Sequence, residues 1–116
     1  MTAGNIEGYR FDRLRMDSDI YTKDLIILPD RIIPSWQRTE GHLLRIEDLG
    51  PVLQAAPELL IIGTGYFGRM SLLDSALKKL AEAGIEIALE RTGTACRTYN
   101  TLRSGRRLAA ALHLAC

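Results

Sequence analysis

The second half of the chain alternates apolar runs with amphipathic stretches, and this alternation limits the folds that are open to it. Residues 59–62 (LLII) form a continuous apolar run, typical of a strand buried on both faces. The stretch SLLDSALKKLAEAG places apolar residues at helical spacing, with Ser71 and Asp74 as the expected capping pair and Gly84 as the stop. The next buried strand is predicted at 85–89.

The same alternation continues toward the end of the sequence. TGTACRTYNTLRSG predicts a helix with Thr94 as its N-cap and Gly105 at its end, and RLAAALHL (107–114) predicts a strand of small residues. A shorter helix is predicted upstream at 47–56. The order β-α-β-α-β from 59 to 114 indicates an α/β protein with helices covering a sheet.

The first half is predicted to be mostly β. Tyr9 and Phe11 alternate with polar residues, and apolar runs at 25–28 and 31–36 are joined by a Pro-Asp turn. Pro34 makes the second run an edge or a bent strand, because proline donates no ladder hydrogen bond. A chain of 116 residues is sized for one core, so residues 1–116 are predicted to form a single domain.

The glycine cluster after the first buried strand, GTGYFG at 63–68, has the pattern G-x-G-x-x-G. A strand precedes it, a helix follows it and Glu90 ends the next strand, which is the context of a dinucleotide-binding turn. Two features disagree with that context. Gly68 would lie in the loop instead of the helix, and Glu90 follows Gly63 by 27 positions instead of about 20. The absence of a Lys-Ser/Thr pair after the last glycine excludes a P-loop.

Three interpretations of this turn stay open: a dinucleotide site, a site for a smaller phosphate-bearing or anionic ligand, and a structural turn. Backbone amides at such a turn can form an anion-binding concavity. Under the ligand interpretation, the binding residues are Gly63, Thr64, Gly65, Gly68, Arg69 and Asn100. For Asn100 the alternative is an amide that fixes a loop to the helix.

Charge, hydropathy and cysteine usage exclude several classes of function. A net charge of +1 gives no electrostatic footprint for nucleic acid, and no apolar run approaches the roughly 20 residues of a membrane span. The N-terminus lacks the pattern of a secretory signal or a transit peptide, so a cytoplasmic location is expected. Neither Cys96 and Cys116 nor His42 and His113 have the spacing of metal ligands, so no metal site or cofactor is predicted.

No catalytic group can be assembled from the sequence. Cys96 lies in the first turn of a predicted helix, where the positive helix end can lower a thiol pKa; the alternative is a buried structural cysteine. The acidic residues of the first half are scattered over turns, and nothing sets two carboxylates at a working separation. We therefore expect a protein that is not an enzyme.

The aromatic residues of the first half suggest a protein interface. Tyr9, Phe11, Trp36 and Arg38 are its candidate residues, since interface anchors are enriched in aromatic residues and arginine. Trp36 and Arg38 would form a stacked surface patch, or else the tryptophan covers the edge of the sheet.

Several ordered pieces of the sequence resemble a known family. PELLIIGTG, a helix, and AGIEIALERTGTACRTYNTLRSGRRLAAALH, with SWQRTEGHLLRIEDL upstream, are similar to a small α/β domain. That domain is shared by a mitochondrial respiratory complex I assembly factor and the adipogenesis-associated domain-containing protein. The resemblance covers roughly residues 9–114. It implies a single-domain three-layer fold, with a mixed central sheet, flanking helices and an extra N-terminal β layer.

The resemblance implies no established catalytic residues, cofactor or reaction. Together with the residue patterns, it favours a non-enzymatic protein-interaction module, similar to a respiratory-complex assembly factor. The alternative is a protein that binds a small anionic or phosphate-bearing ligand at the turn from Gly63 to Gly68. An unidentified protein partner is expected, with self-association left open, and neither nucleic acid nor a membrane span is expected.

Overall fold

A central five-stranded sheet organises the molecule, which a computed structural model describes over residues 4–115. The strands of the described chain are β1 Ile6–Arg10, β2 Arg13–Met16, β3 Asp19–Tyr21, β4 Leu25–Ile27, β5 Ile32–Ile33, β6 Leu43–Leu44, β7 Leu59–Gly63, β8 Ser71–Leu72, β9 Glu86–Glu90 and β10 Leu108–Leu112. The helices are α1 Gly50–Ala55, α2 Asp74–Glu82 and α3 Thr92–Leu102, and a 3-10 helix, Ile46–Leu49, leads into α1.

The central sheet has the strand order β5-β4-β10-β7-β9. Strands β10, β7 and β9 are parallel, whereas β4 runs antiparallel to β10 and β5 antiparallel to β4. Every residue of β7 and β10 is buried, which explains why both strands are continuous apolar runs without alternation.

Each face of this sheet is covered by a different layer, so that two apolar cores share it. On one face, α3 and the small antiparallel sheet β1-β2-β3 pack against side chains such as Leu25, Ile61 and Ala110. On the other face, α1, α2 and the 3-10 helix pack against side chains such as Leu60 and Ala111. The predicted three-layer α/β fold, with its mixed sheet and extra N-terminal β layer, is confirmed.

Two predicted helix starts are wrong. Ser71 does not cap α2: it lies in β8, which pairs with β6, and its N–H donates to the carbonyl of His42 at 2.9 Å. Thr94 does not cap α3, which begins at Thr92. The Thr92 N–H donates to the Gly65 carbonyl at 3.2 Å, so a long-range contact satisfies a free amide of this helix end.

Short strands account for most of the other differences from the predicted pattern. The run predicted at 31–36 contributes only Ile32–Ile33 to the sheet, and Pro34 follows it directly. The pair β6 and β8 has two residues in each strand, and its pairing brings together segments far apart in the chain. Periodicity over so few residues gives no signal in the sequence.

Asn100 holds the N-terminal β layer onto α3. Its side-chain oxygen accepts from the Ile6 N–H at 2.7 Å, and its side-chain NH₂ donates to the Ile6 carbonyl at 2.8 Å. One amide therefore satisfies both backbone polar groups of a residue at the start of β1. Of the two interpretations of Asn100, the structural one therefore applies: its amide fixes another segment to the helix. That segment is strand β1 and not the glycine turn.

Replacing Asn100 with alanine should destabilise the fold by about 2 kcal/mol, because both backbone groups of Ile6 lose their partner in a partly buried place. Urea denaturation measures the change. The exposed neighbour Thr101 is the control, and Thr101→Ala should stay within about 0.5 kcal/mol of the wild type. Equal effects of the two substitutions would contradict the assignment.

Candidate functional site

The carboxyl ends of β7 and β9 form the place where an open α/β sheet would be expected to bind a ligand. The two strands are neighbours, and the connections that leave them lead to α2 on one face and α3 on the other. A crevice opens where the connections from two adjacent strands leave on opposite faces of the sheet. In this protein, the glycine turn at 63–68 lies at that point.

The backbone of the glycine turn uses its amides within the protein. Five N–H groups of the turn and the residues beside it donate to internal acceptors, and an anion could receive them only if these bonds broke. The bonds are Thr64 N to Glu90 O (2.8 Å), Gly65 N to Thr92 Oγ1 (2.8 Å), Tyr66 N to Ala115 O (2.7 Å), Gly68 N to Gly65 O (3.2 Å) and Met70 N to Thr64 O (3.0 Å). This geometry favours the structural interpretation of the turn.

Packing and backbone conformation explain why these positions of the turn are glycine. A Cβ on Gly63 would lie 2.8 Å from Thr92 Oγ1 and 2.9 Å from Leu112 Cδ2, which leaves no space for a side chain. Gly65 and Gly68 have φ angles of 110° and 72°, a region that favours glycine. A strand-to-helix connection packed this tightly requires glycine with or without a ligand.

The side chain of Thr92 fastens the turn to the strands around it. Its hydroxyl accepts from the Gly65 N–H at 2.8 Å and donates to the His113 carbonyl at 2.6 Å, and the residue is fully buried. The His113 N–H in turn donates to the Gly63 carbonyl at 3.0 Å. The turn after β7, the start of α3 and the segment after β10 are therefore joined at one hydroxyl.

Arg91 covers the crevice from the α3 side. Its guanidinium donates to the Phe67 carbonyl at 3.3 Å, and a Cβ on Gly68 would lie 3.2 Å from its Cγ. The neighbouring Glu90, which the dinucleotide interpretation would assign to a ribose, has one carboxylate oxygen, Oε1, buried with no hydrogen-bond partner among the described residues.

A buried ionic group lies on the other side of β10, at the start of β4. We call Asp24, Arg38 and His113 the Asp24 cluster. Asp24 Oδ2 is 2.8 Å from both His113 Nδ1 and Arg38 Nη1, and Asp24 Oδ1 accepts from the Leu114 N–H at 2.8 Å. Because a carboxylate only accepts, His113 Nδ1 carries the proton of this bond. The Arg38 and His113 side chains are only 4% and 9% exposed.

The partners of Asp24 set its protonation. Burial alone would raise the pKa of this carboxyl, but the hydrogen bonds from His113, Leu114 and Arg38 favour the charged form and hold the pKa below its usual range. Asp24 is therefore charged at neutral pH, and its charge is compensated inside the fold.

An exposed group of aromatic side chains lies above the glycine turn. We call Phe11, Tyr66 and Phe67 the aromatic patch. Their ring centroids are 5.0 to 6.1 Å apart and the side chains are 47% to 50% exposed. Tyr9 lies beside the patch, 6.3 Å from the Tyr66 ring, and its hydroxyl donates to the Leu114 carbonyl at 2.6 Å. Burial raises the pKa of this phenol.

The structure separates the residues that were predicted to form the interface. Tyr9 and Phe11 are at the aromatic patch, but Trp36 is 7% exposed and its ring N–H donates to the Asp48 carbonyl at 2.9 Å. Arg38 stacks on Trp36, with 4.8 Å from the guanidinium carbon to the ring, but the pair is buried and forms no surface patch. The interpretation of Trp36 and Arg38 as a stacked surface patch is therefore wrong, because the arginine side chain points inward and pairs with Asp24. The alternative, a tryptophan that covers the edge of the sheet, agrees with the position of Trp36 in the core beside Ile33 of the edge strand β5.

The residues predicted for a ligand do not converge on one point. Gly63, Thr64 and Gly65 are buried within the turn, whereas Arg69 lies on the surface with its guanidinium carbon 5.7 Å from the Phe67 ring. The Asn100 side-chain amide is hydrogen-bonded to the backbone of Ile6.

Cys96 is a structural cysteine. The residue is 5% exposed, and burial raises the pKa of its thiol to about 12, so the depressed pKa considered from the sequence is wrong. Cys116 lies outside the described residues.

The sequence analysis did not identify most residues of the Asp24 cluster and the aromatic patch as site residues. Asp24 and His113 are 89 positions apart, so no local pattern could have paired them. Tyr66 and Phe67 offered a signal, since two consecutive aromatic residues in a glycine turn cannot both pack beneath it. Thr92 offered none, because its role depends on contacts with two distant segments, at Gly65 and His113.

The family of this protein follows from comparison with known sequences. The chain matches, over residues 6–113, the family described as "Protein of unknown function (DUF498/DUF598)". The chain belongs to this family. A relative that bears out the predicted resemblance is NADH dehydrogenase (ubiquinone) 1 alpha subcomplex assembly factor 3 of Xenopus tropicalis, 31% identical over 109 residues. The alignment takes in 91% of this chain and 58% of the relative, so the chain spans less than two thirds of that relative's length.

Solved structures share the fold along nearly the whole chain. A structure titled as an outer membrane protein from Bartonella henselae is 27% identical, with a TM-score of 0.85, and the match covers 98% of this chain and 97% of that one. A conserved hypothetical protein from Pyrococcus horikoshii is also 27% identical, with a TM-score of 0.83 and coverage of 97% and 99%. The DUF498/DUF598 fold is therefore found in both bacterial and archaeal proteins.

Over residues 4–115, no three His, Cys, Asp or Glu side chains come together as a metal site. None of the helices in the same part of the chain has the length and apolar character that a bilayer crossing requires.

Replacing Gly63 with alanine should destabilise the protein by about 2 kcal/mol, because the added methyl group would overlap Thr92 Oγ1 and the Leu112 side chain. Gly105 is the matched control: it is exposed, a Cβ there meets nothing within 4 Å, and its φ is not in the left-handed region. In urea denaturation, Gly105→Ala should be neutral or slightly stabilising. A Gly63→Ala variant as stable as wild type would contradict the close packing at the turn.

Replacing Asp24 with asparagine should cost about 3 kcal/mol at pH 7, because it leaves Arg38 buried without its counter-charge. The folded pKa of Asp24 is lowered, so its stabilisation is present above the unfolded pKa and is lost as pH falls through the folded pKa. The difference in unfolding free energy between wild type and variant should therefore shrink below about pH 4.

Urea denaturation across this pH range checks the prediction. The exposed Asp30 serves as the control, since Asp30→Asn should stay within about 0.5 kcal/mol of the wild type at every pH. A difference for Asp24→Asn that does not change with pH would argue against a charged, stabilising Asp24.

Proposed function

We propose that this protein is a non-enzymatic protein-interaction module of the assembly-factor type, which binds another polypeptide through the aromatic patch. The similarity to a relative named as an assembly factor supports the general form of this role. The identity of the partner is not carried over, since the chain spans only part of that relative. The cytoplasmic location and self-association stay predictions from the sequence.

The observation that carries the proposal is the exposure of three touching aromatic rings. Phe11, Tyr66 and Phe67 each keep about half of their surface in contact with water, although apolar rings gain free energy by burial. Contiguous apolar surface with a polar rim is characteristic of interaction sites, and aromatic residues dominate the energetics of such sites.

The patch is also held rigidly, which favours binding. The turn that carries Phe11 is fixed by the Asp12 N–H, which donates to the Leu114 carbonyl at 2.9 Å. The loop that carries the other two rings is fixed by the Tyr66 N–H, which donates to the Ala115 carbonyl at 2.7 Å. Two adjacent carbonyls therefore hold the two halves of the patch together, and less conformational entropy is lost when a partner binds.

Site-specific photo-crosslinking tests the proposal. Phe67 is replaced by the photoreactive amino acid p-benzoyl-phenylalanine in cells that naturally contain the protein, and the cells are irradiated. We expect a discrete crosslinked polypeptide, and we expect Phe11→Ser to remove it because that substitution disrupts the patch without touching the core.

Leu77 provides the matched control. It is 46% exposed but lies on α2, away from the patch, so the same amino acid there should give no such crosslink. The proposal would fail if position 67 gave no discrete product, or if both positions gave the same one.

A further inference from the structure

We infer that the partner presents an acidic segment carrying an apolar or aromatic side chain, which inserts its apolar group against the aromatic patch and pairs its carboxylates with the arginines around it. This inference rests on the proposed function, since it specifies the chemistry of the polypeptide bound at the same patch.

Two exposed guanidinium groups flank Phe67. The Arg69 guanidinium carbon is 5.7 Å from the centre of the Phe67 ring, and Arg91 Nη2 donates to the Phe67 carbonyl at 3.3 Å. Within residues 4–115, neither arginine forms an ion pair, in contrast to Arg45 and Arg106, which pair with glutamates. Both cations are therefore placed beside the patch without a counter-charge.

Two more arginines adjoin the turn that carries Phe11. Arg10 and Arg13 are exposed and lie opposite each other in β1 and β2, on the outer face of the β1-β2-β3 sheet. With Glu7 and Arg15 they line a shallow concavity of about 580 Å³. The Tyr9 ring lies on the other face of this sheet, with Leu14, so the concavity is separate from the patch.

The local excess of positive charge contrasts with the whole chain, whose net charge is +1. Guanidinium groups match carboxylates in a planar, two-pronged geometry, and stacking on an aromatic ring orients them before binding. Two arginines against Phe67, with Arg10 and Arg13 next to the turn of Phe11, therefore complement an acidic, partly apolar peptide segment.

An anionic membrane is the other surface that combines negative charge with apolar groups. Each basic residue near such a membrane contributes only a small attraction, and the chain as a whole is almost neutral. These features favour a polypeptide.

Selection from a random peptide library displayed on phage, with the purified protein as bait, tests the inference. We expect the enriched peptides to combine Asp or Glu with Phe, Leu or Trp. One enriched peptide is then synthesised with a fluorescent label, and its binding is measured by anisotropy at low and at high salt. Affinity should fall as salt rises, because the arginines are exposed to solvent.

Matched variants separate the two parts of the inference. Arg69→Glu with Arg91→Glu should weaken the peptide at least about tenfold at low salt, because two attractive contacts become repulsive. Lys78→Glu with Lys79→Glu makes the same charge change on the exposed side of α2 and should leave affinity unchanged. Thermal denaturation verifies that each variant folds, and Arg69→Glu alone serves if the double variant does not.

Each outcome decides something. Peptides that need Phe11 and Phe67 but carry no acids, or that ignore the reversal at Arg69 and Arg91, would overturn the acidic partner and leave the proposed function standing. If no peptide is enriched, or if binding does not depend on the patch, the inference is also overturned. The proposed function is then tested separately by the crosslinking experiment at Phe67. Co-sedimentation with vesicles of equal parts phosphatidylserine and phosphatidylcholine, lost in a Phe11→Ser, Phe67→Ser variant, would replace the peptide with a lipid surface.

Discussion

The short segment that leaves β10, residues 113–115, holds together the parts of the chain that meet at this end of the central sheet. Three successive carbonyls and two N–H groups of this segment each bond a different part of the chain. Their partners are the Thr92 hydroxyl, the Tyr9 hydroxyl with the Asp12 N–H, the Tyr66 N–H, the Gly63 carbonyl and the Asp24 carboxylate. The glycine turn, the aromatic patch and the Asp24 cluster therefore share one scaffold.

This arrangement gives the G-x-G-x-x-G pattern of the turn a structural explanation. The same glycines that let a backbone approach a pyrophosphate also let a strand pack against a threonine and a leucine, as Gly63 does with Thr92 and Leu112. In this protein amides of the turn are bonded internally, to Glu90, Thr92 and Ala115. The glycine pattern indicates tight packing of the backbone. Whether such a turn also binds a ligand depends on whether its amides point outward and are free to donate.

Much of the fold could be predicted from the sequence, and much less of the site. The strands β7, β9 and β10 and the helices between them follow from apolar runs and helical spacing, which are local properties. The two-residue strands and the helix starts at Asp74 and Thr92 depend on pairing with distant segments, such as β6 with β8. Similarly, Arg38 looked like a surface residue because its partner, Asp24, lies in a separate segment of the chain, just before β4.

The free edge of β9 has a consequence for association between copies of the chain. The strand reads Glu-Ile-Ala-Leu-Glu from Glu86 to Glu90, with a carboxylate at each end and Ala88 in the middle. If two copies added their edges in antiparallel fashion about Ala88, each Glu86 would lie opposite a Glu90 of the other copy. Directly opposed like charges destabilise such a pair. The sheet thus ends in a strand whose charge pattern discourages its own continuation.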